Sequence, residues 1–191
     1  ISIKQLSKDG HKVIGSKINL YCDCLGISGG WTPAVHLFTQ SGGKLKFRED
    51  DQVFIPDIYS SDQLSIGSCN GDFTLDEIAL NVPKSLKNFL DIKDTEYENL
   101  EVLSSINKSK RNIWLLPTDK IVGKTKSFVD YQNDATAKDI KLALREGFRS
   151  IEHVKRYTTT GMATDQGKLS NMHALGIIAD TAGVKMGTLG T

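Results

Sequence analysis

Apolar residues are distributed in three different ways along this chain. Up to about residue 79 they form short runs cut by glycine turns. Residues 17–28 are the longest run, with Ile18, Leu20, Tyr21, Cys22, Cys24, Leu25 and Ile27, and predict a buried parallel strand. Gly29-Gly30 breaks it, and Pro33 then stands where the first turn of a helix carrying Val35, His36 and Leu37 would begin. Strand, Ser-Gly-Gly turn and helix is the order found in nucleotide-binding crossovers. Lys44–Phe47, Phe54–Pro56 and Leu64–Ser68 predict further short strands or extended pieces. The last leads through Gly67 and Gly71 into a helix with Phe73, Leu75, Ile78 and Ala79, again setting backbone N–H groups at a helix start.

Between residues 80 and 112 charge dominates, from Lys84 and Lys87 through Asp91, Lys93, Asp94, Glu96, Glu98 and Glu101 to Lys108 and Arg111. A solvated helix and a connector are expected there. Asn112–Pro117 is apolar and extended, suited to laying the connector against a domain. From Lys126 onward the spacing becomes helical. Ser127–Tyr131 reads as extended and 132–134 as a turn. Thr136 with Asp139 three residues on resembles a capping box, ahead of the apolar face Ile140, Ala143 and Leu144, and Gly147 closes that helix. Ser150 opens a short helix whose Ile151 and Val154 pack inward. A last helix, Leu169–Ala182, carries Met172, Leu175, Ile178 and Ala179 on one face.

This pattern predicts an α/β region followed by a small, mostly α domain. Composition narrows the picture little. Of 191 residues 39% are hydrophobic and 25% charged, and the formal net charge is +1. The balance argues against a general nucleic-acid or membrane-surface binder. No apolar run approaches the roughly 20 residues of a membrane span. The chain starts at Ile1 and stops at Thr191 as though inside a longer protein. Cys22, Cys24 and Cys69 lack metal-site or redox-pair spacing and read as buried free thiols, which suits a cytoplasmic setting.

The candidate chemistry lies between the last two helices. Lys155, Arg156, Thr158, Thr159, Thr160, Thr164, Gln166 and Lys168 crowd into fourteen residues, with Gly161 and Gly167 allowing close backbone approach. Cations, hydroxyls and a glycine-rich backbone before a helix N-terminus suit an anion such as a phosphate. No Ser/His/Asp set or carboxylate pair suggests a catalytic residue, and His11, His36, His153 and His173 read as surface or packing residues.

Three stretches carry a family resemblance. They are Phe128–Ile140, Arg145–Tyr157 and Thr158–Lys168, preceded in the same order by Ser28–Leu37, Gln40–Lys44 and Ser68–Gly71. Together they resemble the α subunits of the heterotetrameric sarcosine oxidase family over about residues 13–191, most weakly at 83–112. The resemblance implies the end of a disulfide-reductase-like FAD/NAD-binding region over 1–83, a charged connector at 84–125 and a small helical domain at 126–185. Residues 186–191 would begin the link to a tetrahydrofolate-binding domain outside this chain. It also implies that the helical domain is similar to the iron–sulfur module of bacterioferritin-associated ferredoxin. That module's cysteine positions fall here on Asp130, Gln132, Gln166 and Leu169, which cannot supply thiolates, so no cluster and no metal is expected.

As implied partners and cofactors, the β subunit carries FAD and a covalent FMN at the α/β interface, with γ and δ subunits completing the complex. NAD contacts are expected at Ser68, Phe73 and Leu75, shaped by Gly67 and Gly71, with Ser28 and Gly29 as further contacts. FMN phosphate contacts are expected from Lys155, Arg156, Thr158, Thr159, Thr160, Thr164, Gln166 and Lys168. The implied reaction is oxidative demethylation of sarcosine. A related amine dehydrogenase of the N-methylglutamate type, or a non-catalytic subunit-docking module, would share the same layout.

Overall fold

A computed structural model describes residues 1–60, 62–92, 113–118 and 125–190. Of the charged stretch predicted at 80–112, residues 93–112 lie outside the described residues. The chain divides into two units, residues 27–112 and residues 1–26 with 113–191.

In the second of these, β1 (Ser2–Leu6) and β2 (Val13–Asn19) form an antiparallel hairpin. Its turn is closed by Ser7, whose amide donates to the Lys12 carbonyl at 2.9 Å and whose hydroxyl accepts from the Lys12 amide at 3.0 Å. The register slips between Ile3 and Gln5, opposite Gly15 at φ 73°, a bulge that glycine adopts without strain. The parallel strand expected over 17–28 does not form. The extended segment ends at Asn19, pairs only with β1, and gives way to an exposed irregular stretch from Leu20 to Thr32. Cys22, Cys24 and Cys69 are exposed rather than buried. An apolar run becomes a buried strand only where neighbours pair its edges and cover its faces, and among the described residues nothing covers this one.

The 27–112 unit starts with α1 (His36–Gln40), which begins three residues after Pro33 rather than around it. β3 (Lys44–Arg48) and β4 (Val53–Ile58) pair antiparallel behind it. Phe38, Val53, Phe54 and Ile55 are buried, with Phe38 edge-on to Tyr59 at 4.9 Å and Phe47 edge-on to Phe54 at 5.0 Å. Gly43 is required by packing, since a Cβ there would lie 2.4 Å from the Phe38 ring. The strand predicted at 64–68 is instead an irregular segment running into a 3-10 turn, Gly67–Asn70. Gly71 follows at φ 83°, and α2 (Leu75–Phe89) starts behind a capping box in which Thr74 and Glu77 bond each other's backbone. α2 carries Pro83 inside it.

From residue 113 the prediction and the structure agree more closely. β5 (Phe128–Asp130) and β6 (Ala135–Thr136) form a tight hairpin over the turn at 131–134. α3 (Ala137–Arg145) starts at Thr136 with the anticipated capping box to Asp139. α4 (Ile151–Thr158) and α5 (Asn171–Ala182) follow. Ile140, Ala143, Val154, Ile177 and Ile178 form a core in which each is at most 2% exposed. α5 is buried on more than the predicted face, because Ala174, Gly176 and Ile177 are covered too. Part of the cover is Trp114, which stands edge-on to His173 at 6.0 Å. A Cβ on Gly176 would lie 2.1 Å from its indole ring.

Candidate functional site

The segment from Thr159 to Ser170 joins α4 to α5 without regular structure of its own. Four of its residues are left-handed: Thr159 at φ 59°, Gly161 at 73°, Gln166 at 52° and Gly167 at 76°. The glycines tolerate this, whereas for Thr159 and Gln166 it costs roughly 1–2 kcal/mol each. Such a shape persists only where the surroundings fix it.

The fixing bonds come largely from the β5–β6 turn. Asp130, 3% exposed, accepts the Gln132 and Asn133 amides on Oδ1 at 2.9 and 3.0 Å, and the Gly161 amide on Oδ2 at 2.7 Å. Burial pushes its carboxyl pKa up, but the three backbone N–H donors outweigh burial and hold it below the usual aspartate value. Gln132 Oε1 accepts the Thr164 amide at 3.0 Å and the Thr164 hydroxyl at 2.7 Å. Asn133 Nδ2 donates to the Thr159 carbonyl at 2.8 Å. Within the loop, Asp165 accepts the Gly167 and Leu169 amides, each at 3.2 Å. Two carboxylates of the chain itself therefore occupy loop amides that an external anion would seek.

The four threonines are likewise engaged. Thr158 donates its hydroxyl to the Val154 carbonyl at 2.7 Å, so the 2.8 Å contact between the Thr158 and Thr160 hydroxyls has Thr160 as donor. Thr160 is fully buried. The Thr159 hydroxyl donates to the Thr158 carbonyl at 2.6 Å, and Thr164 donates to Gln132. Lys155 reaches Glu152 at 3.4 Å. Of the predicted anion contacts, Arg156, Gln166 and Lys168 are exposed with side chains uncommitted among the described residues. Arg156 stands in the last turn of α4 and Gln166 and Lys168 stand on the loop, an exposed rim of two cations and one amide along the chain. Asn171 packs its side-chain amide against Gly161 and Gly167, which accounts for both glycines, since a Cβ on either would lie within 2.2 Å of Asn171 Oδ1.

Sequence reading singled out Asp130 and Gln132 only as positions unable to ligate a cluster, and passed over Asn133 and Asn171. An Asp two and three residues before free amides is a local turn signal and could have marked Asp130. The bonds to Gly161 and Thr164 span 31 and 32 residues and leave no local trace.

The predicted dinucleotide contacts lie in the other unit. Ser68 is exposed on the 3-10 turn, and Leu75, 71% exposed, opens α2. Gly71 lies against Arg48, whose Nη2 donates to the Gly71 carbonyl at 2.7 Å. Asp72 is buried and turned onto Asn81 Nδ2 at 2.9 Å. Glu77 Oε2 accepts the amides of both Phe73 and Thr74, at 3.0 and 3.1 Å. The α2 N-terminus is thus filled by the protein's own carboxylate, and a diphosphate at this turn would have to use the Gly67–Asn70 backbone. Ser28 and Gly29 lie in the exposed irregular stretch and are not brought to a described site.

Residues 124–191 match the family model described as the sarcosine oxidase A3 domain. The chain is 34% identical to the sarcosine oxidase α subunit of Rhizobium meliloti (strain 1021), over 88% of this chain and 17% of that protein. It is 30% identical to the α subunit of Corynebacterium sp. (strain P-1), over 97% of this chain and 19% of that one. The chain thus spans about a fifth of the relatives it matches. Among solved structures, L-proline dehydrogenase from P. horikoshii is a distant neighbour, 17% identical with a TM-score of 0.46, over 84% of this chain and 34% of that one.

Proposed function

Because the chain belongs to the sarcosine oxidase α-subunit family, with an A3 domain at its C-terminal end, we propose that it is the cofactor-holding part of an oxidoreductase subunit. The whole enzyme would convert sarcosine, tetrahydrofolate and O2 into glycine, 5,10-methylenetetrahydrofolate and H2O2. Amine oxidation would take place at FAD in a β subunit, and the FMN held between α and β would relay electrons from FAD to oxygen. No residue of this chain is assigned to bond making or breaking. Its work is to bind and orient.

The observation that carries the reading is the basic rim on the α4–α5 loop. Arg156 can make a bidentate contact to phosphate oxygens and Lys168 can add a point charge, with Gln166 donating an amide N–H between them in sequence. The threonines, whose hydroxyl protons are committed internally, act as framework. Arg156→Ala combined with Lys168→Ala is expected to lower the FMN-to-FAD ratio of the assembled enzyme, because covalent attachment of FMN to the β subunit would then proceed with the phosphate unheld. An unchanged FMN-to-FAD ratio, measured on acid-released and protein-bound flavin together, would discard the assignment. The same ratio separates a cofactor-holding role from a docking module that carries no flavin contact.

NAD is the second cofactor we propose, at the Gly67–Gly71 turn, with Ser68 and Leu75 exposed beside it. Phe73 is half-buried at the same turn. Partners are the β, γ and δ subunits. Among the described residues no helix is long and apolar enough to cross a membrane. The cytoplasmic setting we propose rests on the free thiols of Cys22, Cys24 and Cys69, which suit a reducing compartment.

A further inference from the structure

The α4–α5 loop owes its shape to a part of the chain that would touch no ligand. We infer that Asp130, Gln132 and Asn133 are positioning residues, a polar latch that sets the loop for the ligand held at its rim; that the ligand is a flavin phosphate rests on the reading above. The latch grips the loop at three closely spaced points, Thr159 through its carbonyl, Gly161 through its amide and Thr164 through both amide and hydroxyl. Two of these bracket the left-handed turn at Thr159 and Gly161. The third fixes the strand of loop that leads to Asp165, whose own bonds to Gly167 and Leu169 set the backbone around Gln166 and Lys168.

Asp130 divides its two oxygens between tasks. Oδ1 shapes its own turn through the Gln132 and Asn133 amides, and Oδ2 reaches across to Gly161. The turn that orients Gln132 and Asn133 is therefore built by the same side chain that anchors the loop. Gln132 is exposed, so its contribution is separable from the core. Its oxygen is the working atom. A carboxylate at that position would keep an acceptor there, and an aliphatic side chain of similar size would not.

The test uses the full-length α subunit in the assembled enzyme. Hydrogen–deuterium exchange is followed on peptides covering 158–168, with α3 and α5 as internal controls, and flavin content is measured on the same samples. Gln132→Leu is expected to raise exchange at the Thr164 amide at least about tenfold while the controls hold, and Gln132→Glu is expected to restore protection. Asp130→Ala is expected to release Gly161 as well. Exchange unchanged in Gln132→Leu, or raised equally in Gln132→Glu, would overturn the latch. That result is readable even if Asp130→Ala fails to assemble. Raised exchange with lost FMN supports both the latch and the flavin reading. Raised exchange with full FMN keeps the latch and removes the flavin from the loop.

Discussion

Asp130 is buried, carries a carboxylate, and is stabilised as an anion by three backbone amides. Its folded-state pKa lies below the unfolded value of 3.8, so it contributes stability above that pH and the contribution is lost as pH falls through the folded value. Asp139 behaves alike, because the Thr136 hydroxyl and amide hold its carboxylate against burial. A melting-temperature difference between the wild-type protein and Asp130→Asn is therefore expected at neutral pH and should shrink on acidification below about pH 4. A difference that held constant down to pH 2 would mean that the charge plays no part. At this scale the sequence was legible in type but not in use. Lys, Arg and Thr in the loop announced polarity, and four Thr hydroxyls facing a ligand was the natural expectation. The structure commits those hydroxyls within the chain, Thr158 and Thr159 to backbone carbonyls, Thr160 to Thr158 and Thr164 to Gln132.

Elements with local causes were read correctly. The capping box of α3 needs only Thr136 and Asp139 three residues apart, and the polar turn after β5 was read from its own residues, though its pairing with β6 was not. The failed strand at 17–28 shows the converse, since apolarity says nothing of which neighbour will cover it. α5 lies between the two cases. Its start slips from Leu169 to Asn171 because Asp165 and Gly167 capture the amides of the preceding turn. The burial of Gly176 depends on Trp114, 62 positions earlier by their numbering. Gly176→Ala should drive the new methyl into the indole and destabilise the domain by about 1–3 kcal/mol in urea unfolding. Adding Trp114→Ala should give less than the sum of the two single losses, because the clash has gone with the ring. Strict additivity would show that the indole does not rest on this helix.

For the molecule as a whole, the cofactor assignments divide between the two units, the flavin rim with 113–191 and the dinucleotide turn with 27–112. A dinucleotide is larger than one turn, and this chain spans about a fifth of its relatives. The NAD site we propose therefore belongs to the full α subunit. Titration with NAD should show saturable binding, and Ser68→Glu should weaken it at least about tenfold by setting a carboxylate against the diphosphate, each tenfold being 1.4 kcal/mol. Equal affinity in wild type and variant would move the dinucleotide elsewhere. The shift from glycine-cut runs to helical spacing made the start of the helical region legible, but not that residues 1–26 group with 113–191 rather than with 27–112. Nor was the antiparallel pairing of the three small sheets found among the described residues, because strand direction depends on partners rather than on the apolar pattern.

The packing of Trp114 on α5 also makes this protein convenient to observe. It has two tryptophans, and they fall one in each unit. Trp31 is 80% exposed, while Trp114 is half-buried against Gly176 and His173. Their fluorescence should separate by wavelength, with the solvated indole emitting to the red. Trp31→Phe would leave Trp114 as the one tryptophan within these 191 residues, an unlabelled reporter of when the 113–118 segment leaves its helix.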